Sequence, residues 1–330
     1  EGLLVTSDDV VLRDFAVAQI TQEYLGQGTH LVYLGPLFKE CLDSDTYTKG
    51  KGSTVASIVD GSLQEHVING MAGVANIGTD INWTGHLFGQ ANWYALGRLA
   101  WDHRLSSAEI AEEWVRMSFT NEPEFVQDIT RMMEGSRDVM VQYMNPVGLH
   151  HIMATGHHYG PAPWVSDLSR PEWNPAYYHR ADSAGIGFNR TVTGSNALAQ
   201  YHPAAAAKWS DPATCPDAYL LWFHHLSWNH TMKSGKTLWQ ELCYQYNKGV
   251  EGVAGMQAVW DQTGMKTDEY RYQQVKMLLN IQYQEAKWWR DACLSYFQTF
   301  SKQAIPAEYE QPEHSLEYYK SLQFPYAPGH

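Results

Sequence analysis

A short β-prone run, Phe15-Ala16-Val17-Ala18-Gln19-Ile20-Thr21, ends just before a carboxylate, Glu23, and then enters a glycine loop, Gly26-Gln27-Gly28. This junction constrains the fold more than any other part of the chain. In a (β/α)8 barrel the C-terminal ends of the strands carry the catalytic groups. A carboxylate delivered at a strand end fits that plan. The plain alternative is a strand-end Glu facing water, the usual place for a carboxylate.

The first hundred residues continue as alternating short strands and helices. Thr29 to Leu34 extends the loop after Glu23 and leads to Pro36, and the polar, Gly-rich stretch from Asp43 to Ser53 reads as a surface loop. The pattern over 67–71 is ambiguous. Gly73-Val74-Ala75-Asn76-Ile77-Gly78 predicts a buried parallel strand. A loop with Asp80, Asn82, Trp83, Thr84, Gly85 and His86 follows, and Gln90 to Ala100 reads as a helix. This order fits the tail of an α/β barrel.

Near Trp101 the pattern becomes helical. Ser106-Ser107-Ala108-Glu109 is a capping box, and Ile110, Trp114 and Met117 share one face of the helix it opens. A second helix spans Pro123 to Tyr143, with Phe125, Ile129, Met132 and Met133 on its apolar side. Residues 145–217 break the periodicity with crowded Pro, Gly, His, Trp and Tyr, and irregular segments of this length usually have a function. Helices then return over Ala218 to Trp228, over Thr237 to Asp261 as two helices broken near Gly249 or Gly255, and over Asp268 to Phe300 as one long amphipathic helix. The acidic, Pro-containing tail after Ile305 wraps the body or frays. The fold class is therefore α/β followed by mainly α, with 330 residues enough for two domains.

With 44% apolar and 18% charged residues the chain is globular. A net charge of −13 argues against nucleic acid as a partner, because phosphates need a basic footprint. An anionic substrate would need a local cationic cluster instead. Lys39, Arg180 and Arg190 are isolated candidates, each read as an ordinary surface cation. No apolar run reaches membrane-spanning length. The four cysteines, Cys41, Cys215, Cys243 and Cys293, form no CxxC pair, so two disulfides and four free thiols both fit. The chain begins with Glu1 and has no signal-peptide pattern, which reads as a processed chain or a fragment.

Histidine doublets occur at His150-His151, His157-His158 and His224-His225, but neighbouring side chains diverge and no metal-ligand spacing is present, so neither a metal nor a cofactor is expected. No nucleophile elbow and no phosphate-cradling glycine loop appear. What is left is carboxylate chemistry beside aromatic platforms. The 13 Trp and 20 Tyr supply flat apolar faces suited to sugar rings, although most must be core. Glycoside hydrolysis is the commonest use of such a set, and it needs two carboxyl groups. Three sequons, at Asn82, Asn189 and Asn229, lean slightly towards secretion, with an intracellular location also open.

The strings Gln19-Ile20-Thr21-Gln22-Glu23-Tyr24-Leu25-Gly26, Gly73 to Gly78, Asn82-Trp83-Thr84-Gly85-His86, Gln90-Ala91-Asn92-Trp93-Tyr94-Ala95, His157-His158-Tyr159-Gly160-Pro161 and Glu172-Trp173-Asn174-Pro175 resemble the α-glucuronidases of glycoside hydrolase family 67. The similarity runs from about residue 18 to near the end. It implies an inverting enzyme that releases glucuronic acid or its 4-O-methyl ether from glucuronoxylan oligosaccharides. It implies residues 1–105 as the C-terminal portion of a (β/α)8 catalytic barrel and residues 106–330 as a helical C-terminal domain that helps form a homodimer. It makes Glu23 one of two carboxylates acting as general base on water, which decides against the solvent-facing reading. Trp173 resembles the aromatic that stacks on xylose.

The family's general acid Glu, partner Asp and uronate-binding cations lie upstream of the matching strings, and Asp8, Asp9 and Asp14 do not match the partner. This chain alone is therefore expected to have little activity. The alternative is a non-catalytic helical module for carbohydrate binding or dimerisation, suggested by the aromatic segment over 145–180.

Overall fold

Leucine, methionine and aromatic residues at helical spacing dominate the second half of the chain, and the fold is mostly helical. The computed structural model describes residues 3–5, 15–20, 27–65, 69–75, 77–79, 81–154, 156 and 158–324. In chain order the elements are β1 (Leu3–Val5), β2 (Phe15–Gln19), α1 (Gly35–Asp43), α2 (Val55–Val59), β3 (Gly70–Val74), α3 (Gly89–Trp101), α4 (Ser107–Ser118) and α5 (Pro123–Met144). There follow α6 (Pro175–His179), β4 (Gly185–Ile186), α7 (Pro203–Trp209), α8 (Leu220–Phe223), β5 (Leu226–Ser227), α9 (Leu238–Thr263), α10 (Glu269–Ser301) and α11 (Leu316–Ser321).

The larger sheet has the order β1-β2-β3. β1 runs antiparallel to β2, with Leu4 opposite Val17, and β3 runs parallel to β2, with Ala72 opposite Val17. The parallel strand expected over 73–78 thus begins three residues earlier, at Gly70, and ends at Val74. It is also less buried than expected: Val74 is 61% exposed and Ile77 beyond it 63%. The reason is position. Among the described residues β3 is an edge strand, and its packing partner is α3, with Leu96 and Ile20 meeting Gly73.

α5, α9 and α10 pack together and share one core with α1, α3 and α4. Trp239, Trp260 and Trp289 are fully buried in it, each worth upwards of about 2 kcal/mol by area. The capping box at Ser106 and Glu109 forms with both of its hydrogen bonds. Ile110, Ala111, Trp114 and Val115 make the buried stripe of α4. Met117 is 64% exposed, against expectation, because it falls about 90° from the centre of that stripe. Phe125, Ile129, Met132 and Met133 of α5 are buried as their spacing predicts.

Two helix expectations fail for tertiary reasons. α9 is continuous through Gly249 and Gly255. Gly249 lies against α5, where a Cβ would come 2.6 Å from the Tyr143 backbone nitrogen. It marks a close helix crossing, not a break. The helix expected over 218–228 shrinks to α8 and gives way to β5, which pairs with β4. There Phe188 N–H and Arg190 N–H donate to the carbonyls of Leu221 (3.0 Å) and Phe223 (2.9 Å). The Arg190 guanidinium donates to the carbonyl of Trp222. Capturing these acceptors ends the helix.

The described residues over 145–217 are irregular apart from short turns, the helices α6 and α7 and the two-residue strand β4. The tail wraps the body: Ile305 is buried, Glu310 pairs with Arg290 (2.9 Å) and Lys287 (3.1 Å), and Tyr319 O–H donates to Asp291 (3.2 Å). All four cysteines are free thiols. Among the described residues no helix is long and apolar enough to cross a membrane.

Candidate active site

Parallel pairing sends the chain out of β2 and β3 at the same edge. The segment returning from the first loop meets the second at two glycines. Gly85 has φ +78°, and a Cβ there would lie 2.9 Å from the Gly28 carbonyl oxygen. Only glycine combines that backbone conformation with that approach. Glu23 falls in the sequence between β2 and Gly28 and lies outside the described residues, as does His157.

Immediately after Gly28 the chain is tied into the helical core. Leu31 N–H donates to Gln282 Oε1 of α10 (2.9 Å), which fixes the orientation of that amide. Gln282 Nε2 therefore donates to Tyr143 Oη of α5 (3.1 Å). The Tyr143 hydroxyl in turn donates to His30 Nδ1 (2.7 Å), leaving the proton of that tautomer on Nε2, which donates to Glu285 of α10. Tyr159 O–H donates to the other oxygen of Glu285. All five side chains are buried. Burial, with Glu285 nearby, raises the pKa of both Tyr143 and Tyr159, so both remain donors. The network is a chain of donors converging on one carboxylate, with directions inferred from the fixed Leu31 donor.

His86, 1% exposed, ends the second loop. Its Nδ1 accepts from Phe88 N–H (3.1 Å), so the ring proton sits on Nε2. Nε2 is buried and has no partner among the described residues. Burial, and secondarily the nearby His30, push its pKa down to about 3. It is a neutral N–H donor at the edge where the strands release their loops.

Tyr159 connects this network to an aromatic surface. Its neighbour His158 lies 6.2 Å from His151, centroid to centroid, and His151 lies 4.7 Å from Tyr178. His150 meets Trp222 edge-on at 5.2 Å. His151 and His158 both adopt left-handed φ, 55° and 58°. Such strain concentrates at functional sites. Tyr178 O–H donates to the Glu172 carbonyl (2.9 Å), in the turn that carries Trp173. Buried Asn174 pins that turn: its amide donates to the carbonyls of Arg170 (2.7 Å) and Leu168 (3.1 Å). Trp173 itself is 48% exposed, with the Arg170 guanidinium 5.1 Å from its ring. An indole half open to solvent on a pinned turn can stack on a sugar ring.

The three isolated cations differ. Lys39 pairs with Asp43 within α1. Arg180 is exposed, its guanidinium 3.4 Å from the Phe188 ring. Arg190 is not a surface cation: it is 8% exposed and lies between Phe188 (4.1 Å) and Trp222 (3.7 Å). Burial lowers its pKa to about 10. Among the described residues no group of three His, Cys, Asp or Glu side chains could hold a metal ion.

His30, Tyr143, Tyr159, Gln282 and Glu285 were not singled out by sequence. A signal existed. Val275, Leu279, Gln282, Glu285, Ala286 and Trp289 follow one buried helical stripe, and a Gln and a Glu at core positions require partners.

Comparison with known proteins places these features in a family. The family model described as "Glycosyl hydrolase family 67 C-terminus" matches residues 84–310, and the one described as "Glycosyl hydrolase family 67 middle domain" matches residues 13–83. Alpha-glucuronidase A of Emericella nidulans is 37% identical over 294 residues, covering 88% of this chain and 34% of that protein. Alpha-glucuronidase of Hypocrea jecorina is 35% identical over 287 residues, covering 86% and 33%. The chain spans about a third of the length of the curated relatives it matches.

Proposed function

The chain belongs to glycosyl hydrolase family 67, and from that membership we propose that it carries the C-terminal part of an inverting α-glucuronidase. Its substrates would be glucuronoxylan oligosaccharides bearing glucuronic acid or the 4-O-methyl ether. Residues 1–105 supply the last part of a (β/α)8 barrel and residues 106–330 the helical domain, through which two copies pair. The enzyme works outside the cell.

Glu23 takes a proton from the attacking water. The water oxygen bonds to the anomeric carbon as the bond to the xylose oxygen breaks. A general acid from outside this chain protonates that oxygen. Inversion separates the two carboxyl groups by roughly 6.5–9.5 Å to admit the water. Trp173 carries the xylose ring. What supports this reading is the position of Glu23 in the sequence: it falls between β2 and Gly28, and the chain is anchored again at Gly28 and His30, past the end where the parallel strands β2 and β3 stop.

With one carboxyl group of the pair outside it, this chain alone has little activity. Release of glucuronic acid from aldouronic acids by the isolated chain would contradict that. A second reading, a non-catalytic helical module that binds carbohydrate or dimerises, draws on the exposure of Trp173. Calorimetry with xylo-oligosaccharides separates the two when combined with complementation by an upstream barrel. Binding with no activity in the complemented protein favours the module.

A further inference from the structure

Three Asn-X-Thr triplets occur in the chain, and their surroundings differ. Asn82 is half-buried, and its Nδ2 donates to the Gly85 carbonyl (2.5 Å) in the turn that presses on Gly28. Its Thr84 hydroxyl donates to the His86 carbonyl (2.7 Å). A sugar on Asn82 would have to enter the closest contact between the two loops.

Asn189 is half-buried and fully engaged. Its Oδ1 accepts from Thr191 N–H (3.0 Å) and Thr191 O–H (2.7 Å), and its Nδ2 donates to Thr193 Oγ1 (3.0 Å). Gly194 presses on it: a Cβ there would sit 2.7 Å from Asn189 Cγ. The side chain closes its own loop, and a sugar on Nδ2 would compete with its bond to Thr193.

Asn229 is exposed, and so is its Thr231. It occupies the tight turn after β5, where Asn229 N–H reaches Ser227 Oγ (3.3 Å) and His230 N–H the Ser227 carbonyl (2.8 Å). The turn is anchored from below by buried Trp228, whose indole N–H donates to the Asp182 carbonyl (2.8 Å). Asn229 Oδ1 accepts from Gln303 Nε2 (3.1 Å), and among the described residues no hydrogen bond engages Nδ2.

We propose that Asn229 is a site of N-glycosylation and that Asn82 and Asn189 are not. A linked glycan is bulky and hydrated and needs a surface position, which Asn229 alone of the three offers. The donor is an oligosaccharide on a polyprenyl diphosphate. Its anomeric C–O bond to the diphosphate breaks, the Nδ2–C1 bond forms, one amide proton is lost, and the lipid diphosphate leaves, with no redox change. The glycan would stand beside Gln303, where α10 passes into the wrapped tail. This inference rests on the extracellular location proposed above and not on the proposed activity.

The test is secretion of the whole chain from a yeast host behind a cleavable leader. Enzymatic glycan release in heavy-oxygen water then marks each occupied asparagine by peptide mass. The expected result is a mark on Asn229 alone, and loss of all glycan in Asn229→Gln. If a variant is not secreted, translation with microsomal membranes reads the same result as one gel shift that Asn229→Gln abolishes and Asn82→Gln and Asn189→Gln preserve. An unmodified Asn229, or a glycan on Asn82 or Asn189, overturns the proposal.

Discussion

His30 and Glu285, 255 residues apart in sequence, are hydrogen-bonded to each other in the protein interior. This contact joins the segment that follows Glu23 to the longest helix of the fold. Removing His30 leaves a buried carboxylate without one of its two donors. We expect His30→Ala to lose about 3–5 kcal/mol, the usual effect of breaking a buried pair from one side. Glu285→Gln keeps the shape and can be partly satisfied by rotation of the Tyr159 hydroxyl, so about 1–3 kcal/mol is expected. Urea denaturation measures both. A His30→Ala loss below about 0.5 kcal/mol, the range of ordinary surface changes, would show that the network contributes nothing.

Acid sensitivity follows from two buried histidines. Burial lowers His86 to about 3 and His179 to about 4, from an ordinary 6.5. The unfolded chain takes up these protons below pH 6.5, and the folded chain resists until lower pH. Their contribution to stability is therefore complete above pH 6.5 and declines as pH falls towards 4 and then 3. The slope is at most about 1.4 kcal/mol per pH unit for each group. Unfolding free energies measured across this range should fall less steeply in His86→Gln and His179→Gln. An unchanged slope in both variants would contradict the assignment.

Two glycines of α9 should respond in opposite directions. A Cβ at Gly249 meets the Tyr143 backbone at 2.6 Å, whereas at Gly255 it meets nothing within 4 Å. Gly249→Ala should cost about 1–3 kcal/mol through overpacking. Gly255→Ala should add about 0.5–1 kcal/mol through helix propensity. Thermal melts of the pair check this, and the same sign for both would refute the close-crossing reading of Gly249.

These contrasts show what was legible from residues alone. The capping box at Ser106, the stripe of α5 and the length of α10 depend on local spacing, and they formed as read. The continuity of α9 depends on a neighbour more than a hundred positions away, and the shortness of α8 on carbonyls captured by residues 188–190. Neither leaves a local trace. Arg190 looked like a surface cation because the rings that enclose it, Phe188 and Trp222, meet only in the fold. Glu285 was not singled out, although its position on a buried stripe marked it. Trp173 was proposed through resemblance, and its exposure could not be read from its local sequence.

Trp173 stands clear of the core, so Trp173→Ala should alter stability by no more than about 0.5 kcal/mol. Xylo-oligosaccharide affinity should fall about tenfold or more, equivalent to about 1.4 kcal/mol. Calorimetry and a thermal melt on the same sample separate the two effects. Equal affinity in variant and parent would remove Trp173 from the proposed platform.

The most direct measurement joins this chain to the upstream two-thirds of a curated relative in place of that relative's own C-terminal part. Turnover of aldouronic acids by the chimera is compared with that of its Glu23→Gln variant. An active chimera whose kcat falls by about 10²–10⁴ in the variant, with the fold intact by circular dichroism, is the expected result for loss of a general base. Turnover that survives Glu23→Gln unchanged would contradict the role proposed for this carboxylate.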